Sequence, residues 1–250
     1  LEHPFHSERA PWRFGIGGER DVREESLLVG AQEVADYRQQ SEVFSLDGGW
    51  LVSALDERLL RLLAGYRHEA LAFDTVAEGG NPDELPSHRT LSYPWIGLDY
   101  RQDRFRQLSN LTLLQQVEDV RDGFVGRVEV GYSATELGAT EDRVILNLDY
   151  QDALLTTAKR HVRYAFGQTG SYRLDQDRVE NLEMRLQLEA FLITQEQGAS
   201  SWYARIEGAA AHNLTADRNL LLGGDVGLRG YPSDYQQGDR GPARCLCQRA

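Results

Sequence analysis

The residues best suited by type and spacing to do chemistry lie in "LLLGGDVGLRGYPSDYQQGDR", Leu220 to Arg240. Gly224, Gly227 and Gly230 fall three apart around Arg229, and Tyr231 and Pro232 follow at once. Glycines beside one fixed cation suggest a phosphate cradle, but the spacing does not support it. The Walker lysine is missing and the dinucleotide fingerprint is not met. Pro232 and "SDYQQGD" leave no helix whose N-terminus could hold phosphate. Other chemistry fares no better. The histidines, His3, His6, His68, His88, His161 and His212, show no metal-ligand spacing, and no serine sits in a Gly-x-Ser-x-Gly elbow. Cys245 and Cys247 alone make neither a zinc site nor a disulfide framework. Carboxylates are abundant, but sequence pairs no two of them across a cleft as acid and base. The expectation is a protein without catalytic residue, metal or cofactor.

The elements that position this segment read as strands. In "NLEMRLQLEA", Leu182, Met184, Leu186, Leu188 and Ala190 share one parity, and Asn181, Glu183, Arg185, Gln187 and Glu189 the other. A helical stripe would bury Glu189 beside Leu182 and Leu186, so the two-residue period wins over a helix-friendly composition. "DRVILNLDYQ" sets Val144, Leu146, Leu148 and Tyr150 against Arg143, Asn147 and Asp149, with Ile145 the single miss. "GRVEVGY" and "SWYARIEGAA" alternate in the same way. Weaker strand candidates are 13–18, 26–34, 49–55, 60–71, 91–101 and 159–168; "DERLLRLLAGYRHEAL" reads equally well as a helix. "AEGGNPDELPSH", "SATELGATED", "GQTGSYRLDQDR" and "TQEQGASS" read as connectors. Roughly ten strands of about ten residues make an all-β antiparallel meander.

Bulk properties bound the setting. The 250 residues carry 27 basic and 39 acidic side chains, a formal charge of -12, which disfavours nucleic acid as a partner. No stretch reaches the ~20 apolar residues of a membrane-spanning helix, but a spanning strand needs only ~10 with every second one apolar. The N-terminus, "LEHPFHSERAPWRFG", carries no signal peptide pattern. Two features favour a membrane barrel over a soluble sandwich. The parity opposite the apolar one is densely ionic, with Arg143, Asp149, Glu183, Arg185, Glu189, Arg205 and Glu207 on it. The four tryptophans, in "PWRFG", "GGWLV", "YPWIG" and "SWYAR", lie near expected strand ends, where an interfacial aromatic girdle belongs.

Gly223, Gly224, Leu228, Arg229, Gly230, Tyr231 and Pro232, followed by "QQGDR", closely resemble the signature of the bacterial surface antigen family. These are the outer-membrane barrels that include BamA, TamA and the transporters of two-partner secretion. "YPWIGLDYRQDRF" and "QVEDVRDGFVGRVEVGYS" resemble barrel strands ahead of that motif, and the resemblance extends over 11–240. It implies an antiparallel up-and-down transmembrane β-barrel whose long extracellular loop folds into the lumen, with Arg229 anchored on acidic or aromatic groups of the inner wall. It also implies a Gram-negative outer-membrane location and work in moving polypeptides across that membrane or inserting them into it. The implied partners are outer-membrane lipid and an unfolded or secreted client polypeptide. A passive pore or structural surface barrel is the alternative, and a soluble β-rich binding protein a weaker one. The chain departs from the family in two places. No POTRA module is visible before Pro11, and the strands that should close the barrel after the motif are missing. Residues 241–250, "GPARCLCQRA", lack alternation and read as an atypical tail, a truncation or a changed reading frame.

Overall fold

A computed structural model describes residues 2–3, 7, 9–29, 32–75, 86–109, 116–193, 201–215, 218, 220–222, 236–238 and 240–249. Among them the structure is strand and turn, with one 3₁₀ turn at Thr135–Leu137. Eleven strands form one antiparallel sheet. In sheet order they are β1 (Glu2–His3), β2 (Trp12–Val29), β3 (Gln32–Leu55), β4 (Arg58–Thr75), β5 (Arg89–Gln102), β8 (Val125–Ser133), β9 (Arg143–Thr156), β10 (Arg160–Arg173), β11 (Arg178–Ile193), β12 (Ser201–His212) and β15 (Arg240–Arg249). Two hairpins stand apart: β6 (Phe105–Ser109) with β7 (Val117–Arg121), and β13 (Leu220–Leu222) with β14 (Gln236–Gly238). The all-β meander expected from alternation is the fold. Chain neighbours are sheet neighbours except where the hairpins intervene. The order runs from β1 to β15 without joining its ends, so the sheet is not a closed barrel.

Several local expectations need correction. The strand expected at 60–71, within "DERLLRLLAGYRHEAL", lies in β4, and only its helical alternative falls; in register with β3 and β5 it sends Leu60, Leu62 and Ala64 to one face and Leu59, Arg61 and Leu63 to the other. Residues 26–34 are not one strand, because the chain reverses between Val29 and Gln32. Residues 49–55 are only the end of a 24-residue strand. All of "GQTGSYR" belongs to β10, and the turn to β11 occupies 174–177. "QVEDVRDGFVGRVEVGYS" divides into β7 and β8, which lie in different sheets. The tail expected to be irregular runs as β15 and pairs with β12. Tight turns use Asp56 (φ 53) and Asp177 (φ 52), a residue type that tolerates the left-handed region better than most.

The sheet is curled. Arg89 Nη1, at the start of β5, donates to Thr215 Oγ1 at 3.0 Å, and Thr215 itself rests on Asn181 of β11 through a 2.8 Å bond from its backbone N–H. β5 and β11 are four strand spacings apart, about 19 Å in a flat sheet. A cavity of about 310 Å³ lined by Arg13, Asp47, Arg67, Tyr93 and Glu129 likewise joins β2 to β8 on one concave side. Register assigns that inner side to Arg143, Asp149, Glu183, Arg185, Glu189, Arg205 and Glu207, the ionic parity read from sequence. Ile145, the one break in the β9 pattern, is also inner and buried.

Candidate functional site

The two faces of the sheet differ in what they expose and what they bury. The outer face leaves large apolar side chains uncovered: Ile96 is 65% exposed, Leu186 55% and Trp50 49%, with Phe44, Leu46, Leu62, Leu98, Val130, Met184 and Ile206 also exposed. The inner face buries charge: Arg61 and Glu180 are each 2% exposed and Glu189 3%. A buried charge is tolerable only when paired and hydrogen-bonded, and the inner side chains are arranged to do that.

Three networks carry most of it. Near the end of the strands where β12 runs out at His212, Arg143 Nη1 donates to Glu180 at 2.6 Å and to Ser171 Oγ at 3.3 Å. Arg143 also pairs with Glu141, and Arg173 and Arg178 close on the same carboxylates. Further along, Glu189 accepts from Arg163 and, at 2.7 Å, from Tyr203 Oη, with Arg205 3.7 Å away. Arg205 goes on to Gln187 at 3.0 Å and to Glu207. Across the sheet, Arg101 grips Asp99 with two bonds of 2.7 and 2.9 Å, and Arg61, the register partner of Asp99, stands 3.8 Å away. Arg13–Asp47 and Arg67–Glu69 continue the ladder. Arginine suits this role because its planar fork serves two carboxylates at once.

Of the four inner acids that alternation singled out, Glu183, Glu189 and Glu207 have arginine partners. Asp149 has none among the described residues, and it faces a cavity of about 330 Å³ shared with Arg127, Glu129, Glu183 and Arg185. No three His, Cys, Asp or Glu side chains among the described residues converge as metal ligands.

The outer face has borders. On β3 its apolar run extends from Phe44 through Leu46 and Trp50 to Val52, then gives way on the same parity to Glu42, Gln40 and Arg38. Those charges pair across the hairpin, Arg20 with Glu42 at 3.3 Å and Arg38 with Glu24 at 2.9 Å. The opposite border is aromatic. Trp12 and Trp50 are register partners, and Trp202 begins β12 at the same end. Between them Tyr100, Phe124, Tyr150 and Tyr164 form a contact chain across β5 to β10, with ring centroids 5.5, 4.9 and 5.3 Å apart. Gly126 makes room for it, since a Cβ there would meet the Phe124 ring at 2.6 Å. The expected girdle of four tryptophans is corrected in one member. Trp95 has inner parity and lies over Gly65, where a Cβ would come 2.7 Å from its ring. The tyrosines were missed, although their signal was present: each falls on the apolar parity close to the end of an alternating run.

Gly223, Gly224, Leu228, Arg229, Gly230, Tyr231 and Pro232 lie outside the described residues; β13 and β14 flank them in sequence. No family model matches the chain, and no curated protein or solved structure matches it.

Proposed function

We propose that this chain is wall from an outer-membrane β-barrel of the surface antigen type, working without chemical catalysis in the translocation of polypeptides across the outer membrane or their insertion into it. One observation carries the membrane part: large apolar side chains stay uncovered on one face while arginines and carboxylates are buried on the other. The outer run from Phe44 to Val52 is nine residues long, close to the ~9–11 that a tilted strand needs to cross the hydrocarbon core. Charged pairs bound it on one side and aromatic rings on the other, as the interfaces of a bilayer require. A soluble monomer would leave that face as an aggregation surface.

The polypeptide-handling part rests on the resemblance of Gly223-Gly224 and Leu228 to Pro232 to the family motif. In that reading Arg229 is drawn inward against the inner wall, where Asp149, of the four acids that alternation singled out, has no arginine of its own among the described residues. The full-length protein decides between the readings. It is expected to float with lipid vesicles and to migrate faster on a gel unheated than boiled. Arg229→Ala is expected to keep the heat-modifiable form but to lose secretion or complementation activity. A protein that stays soluble and monomeric without detergent would sink the barrel; full activity of Arg229→Ala would leave a passive barrel as the better reading.

A further inference from the structure

We propose that the hairpin β6–β7 is a plug that closes one mouth of the lumen, and that a polypeptide or solute passes only when the hairpin swings away. The inference rests on the membrane-barrel reading and adds a gate to it. Elsewhere at that end of the sheet, residues 56–57 suffice to turn β3 into β4 and residues 157–159 to turn β9 into β10. The link from β5 to β8 takes residues 103–124 and builds its own two-stranded ladder, Phe105↔Arg121 to Ser109↔Val117.

That ladder does not extend the wall; it folds across the inside. Leu108 and Val120 are buried together with Phe191 of β11 and pack against Tyr203 of β12, both inner-face residues. β8 and β11 are three strand spacings apart, so the hairpin spans the concave surface of β9 and β10 to reach them. Polar contacts fasten its base. The buried Asp122 carboxylate accepts from Arg106 Nε at 2.7 Å and from Thr156 Oγ1, while Arg106 Nη1 donates to the Thr156 carbonyl at 3.2 Å. Thr156 Oγ1 lies 3.1 Å from Nδ1 of the fully buried His161, and the Asp103 N–H donates to the Glu57 carbonyl at 2.6 Å. The clasp therefore bridges the β3–β4 turn and the β9–β10 turn.

The same inventory says that the clasp can open. A two-stranded hairpin is marginal alone, and this one is held by a few apolar side chains and the polar contacts at its base, while Phe105 and Val117 remain exposed. Undocking breaks no bond of the main sheet, so it belongs to the local openings that cost less than global unfolding.

The test is conductance of the full-length protein in planar bilayers. Replacing residues 104–121 with Asn-Gly is expected to raise conductance several-fold, and Asp122→Ala to produce intermittent openings. With Cys245 and Cys247 changed to serine, Leu108→Cys with Phe191→Cys is expected to form a disulfide that holds conductance at the parent level until reductant is added. Equal conductance with and without the hairpin, in proteins that both insert, overturns the plug and leaves the barrel standing. If the shortened variant does not fold, the cysteine pair decides: failure to link in inserted protein overturns the plug. A parent protein that never enters the bilayer overturns the membrane reading and the plug together.

Discussion

Glu180 and Leu186 stand six residues apart on β11, yet the charged one is the buried one and the apolar one the exposed one. The charged residue is almost completely enclosed, bonded to Arg143 and Arg178 with Arg173 3.6 Å away, while the apolar one faces outward between Phe166 and Gly208 with more than half of its surface uncovered. Alternation alone is compatible with two environments, because a period of two says only that the faces differ. What separates the environments is which face the curl encloses. Here the enclosed face is the ionic one, laced by arginine–carboxylate ladders, and the apolar side is the exposed one.

The comparison breaks most easily from the inside. Glu180→Ala removes the acceptor shared by Arg143 and Arg178 and leaves Arg143 enclosed, with Glu141 as its remaining carboxylate. Removing one partner of a buried pair costs about 3–5 kcal/mol, so thermal or urea unfolding of the detergent-solubilised protein should shift far to the unstable side. A shift no larger than that of a surface substitution would mean that water already reaches this network.

From the outside the effect is somewhat smaller but more diagnostic. Leu186→Arg puts a cation midway along an outer-face strand. Facing lipid it should destabilise by about 2–4 kcal/mol, whereas at an exposed position in water the same change stays within about 0.5 kcal/mol. Unfolding measured from vesicles and vesicle flotation read the difference directly. An unchanged midpoint would place Leu186 in water and end the lipid assignment of this face.

How much of this was legible beforehand follows the same division. Strands β8, β9, β11 and β12 could be read because one parity is apolar on the exposed face and the other meets the ionic inner face. The true length of β2 and β3 could not. Beyond Phe44 the outer parity itself turns charged, at Arg20, Glu42 and Arg38, and the ladder there continues on backbone bonds and ion pairs that leave no hydrophobic period. "QVEDVRDGFVGRVEVGYS" hides the departure of the chain from the wall, because Val117 and Val120 are strand-forming residues like those of the wall yet belong to a separate hairpin. Trp95 misled for a related reason: its neighbours Pro94 and Gly97 look like a strand end, but register carries β5 on through both in mid-sheet. In "GPARCLCQRA" no periodicity marks β15, which is defined by its pairing with β12. The arginine–carboxylate partners themselves were beyond reach, since they depend on register between strands that sequence does not supply.

The finest test uses one arginine with three carboxylate partners, Asp175, Glu180 and Glu141. Arg173 donates to Asp175 at 2.8 and 3.1 Å in the turn after β10, and it also stands 3.6 Å from Glu180 on the inner wall. The hydrogen bond from Arg173 holds the Asp175 carboxyl below its ordinary value. A carboxyl depressed in the folded state lends stability above its unfolded pKa, about 3.9, and that stability is lost as pH falls through the lower folded value. Asp175→Asn should therefore differ slightly from the parent at neutral pH and converge with it in acid. The effect should be the smallest of the three, because water and salt screen an exposed pair and neutral asparagine still offers an acceptor. If Asp175→Asn instead destabilised as strongly as Glu180→Ala, charge removal at Arg173 rather than enclosure would govern the loss, and the contrast between rim and interior would fail.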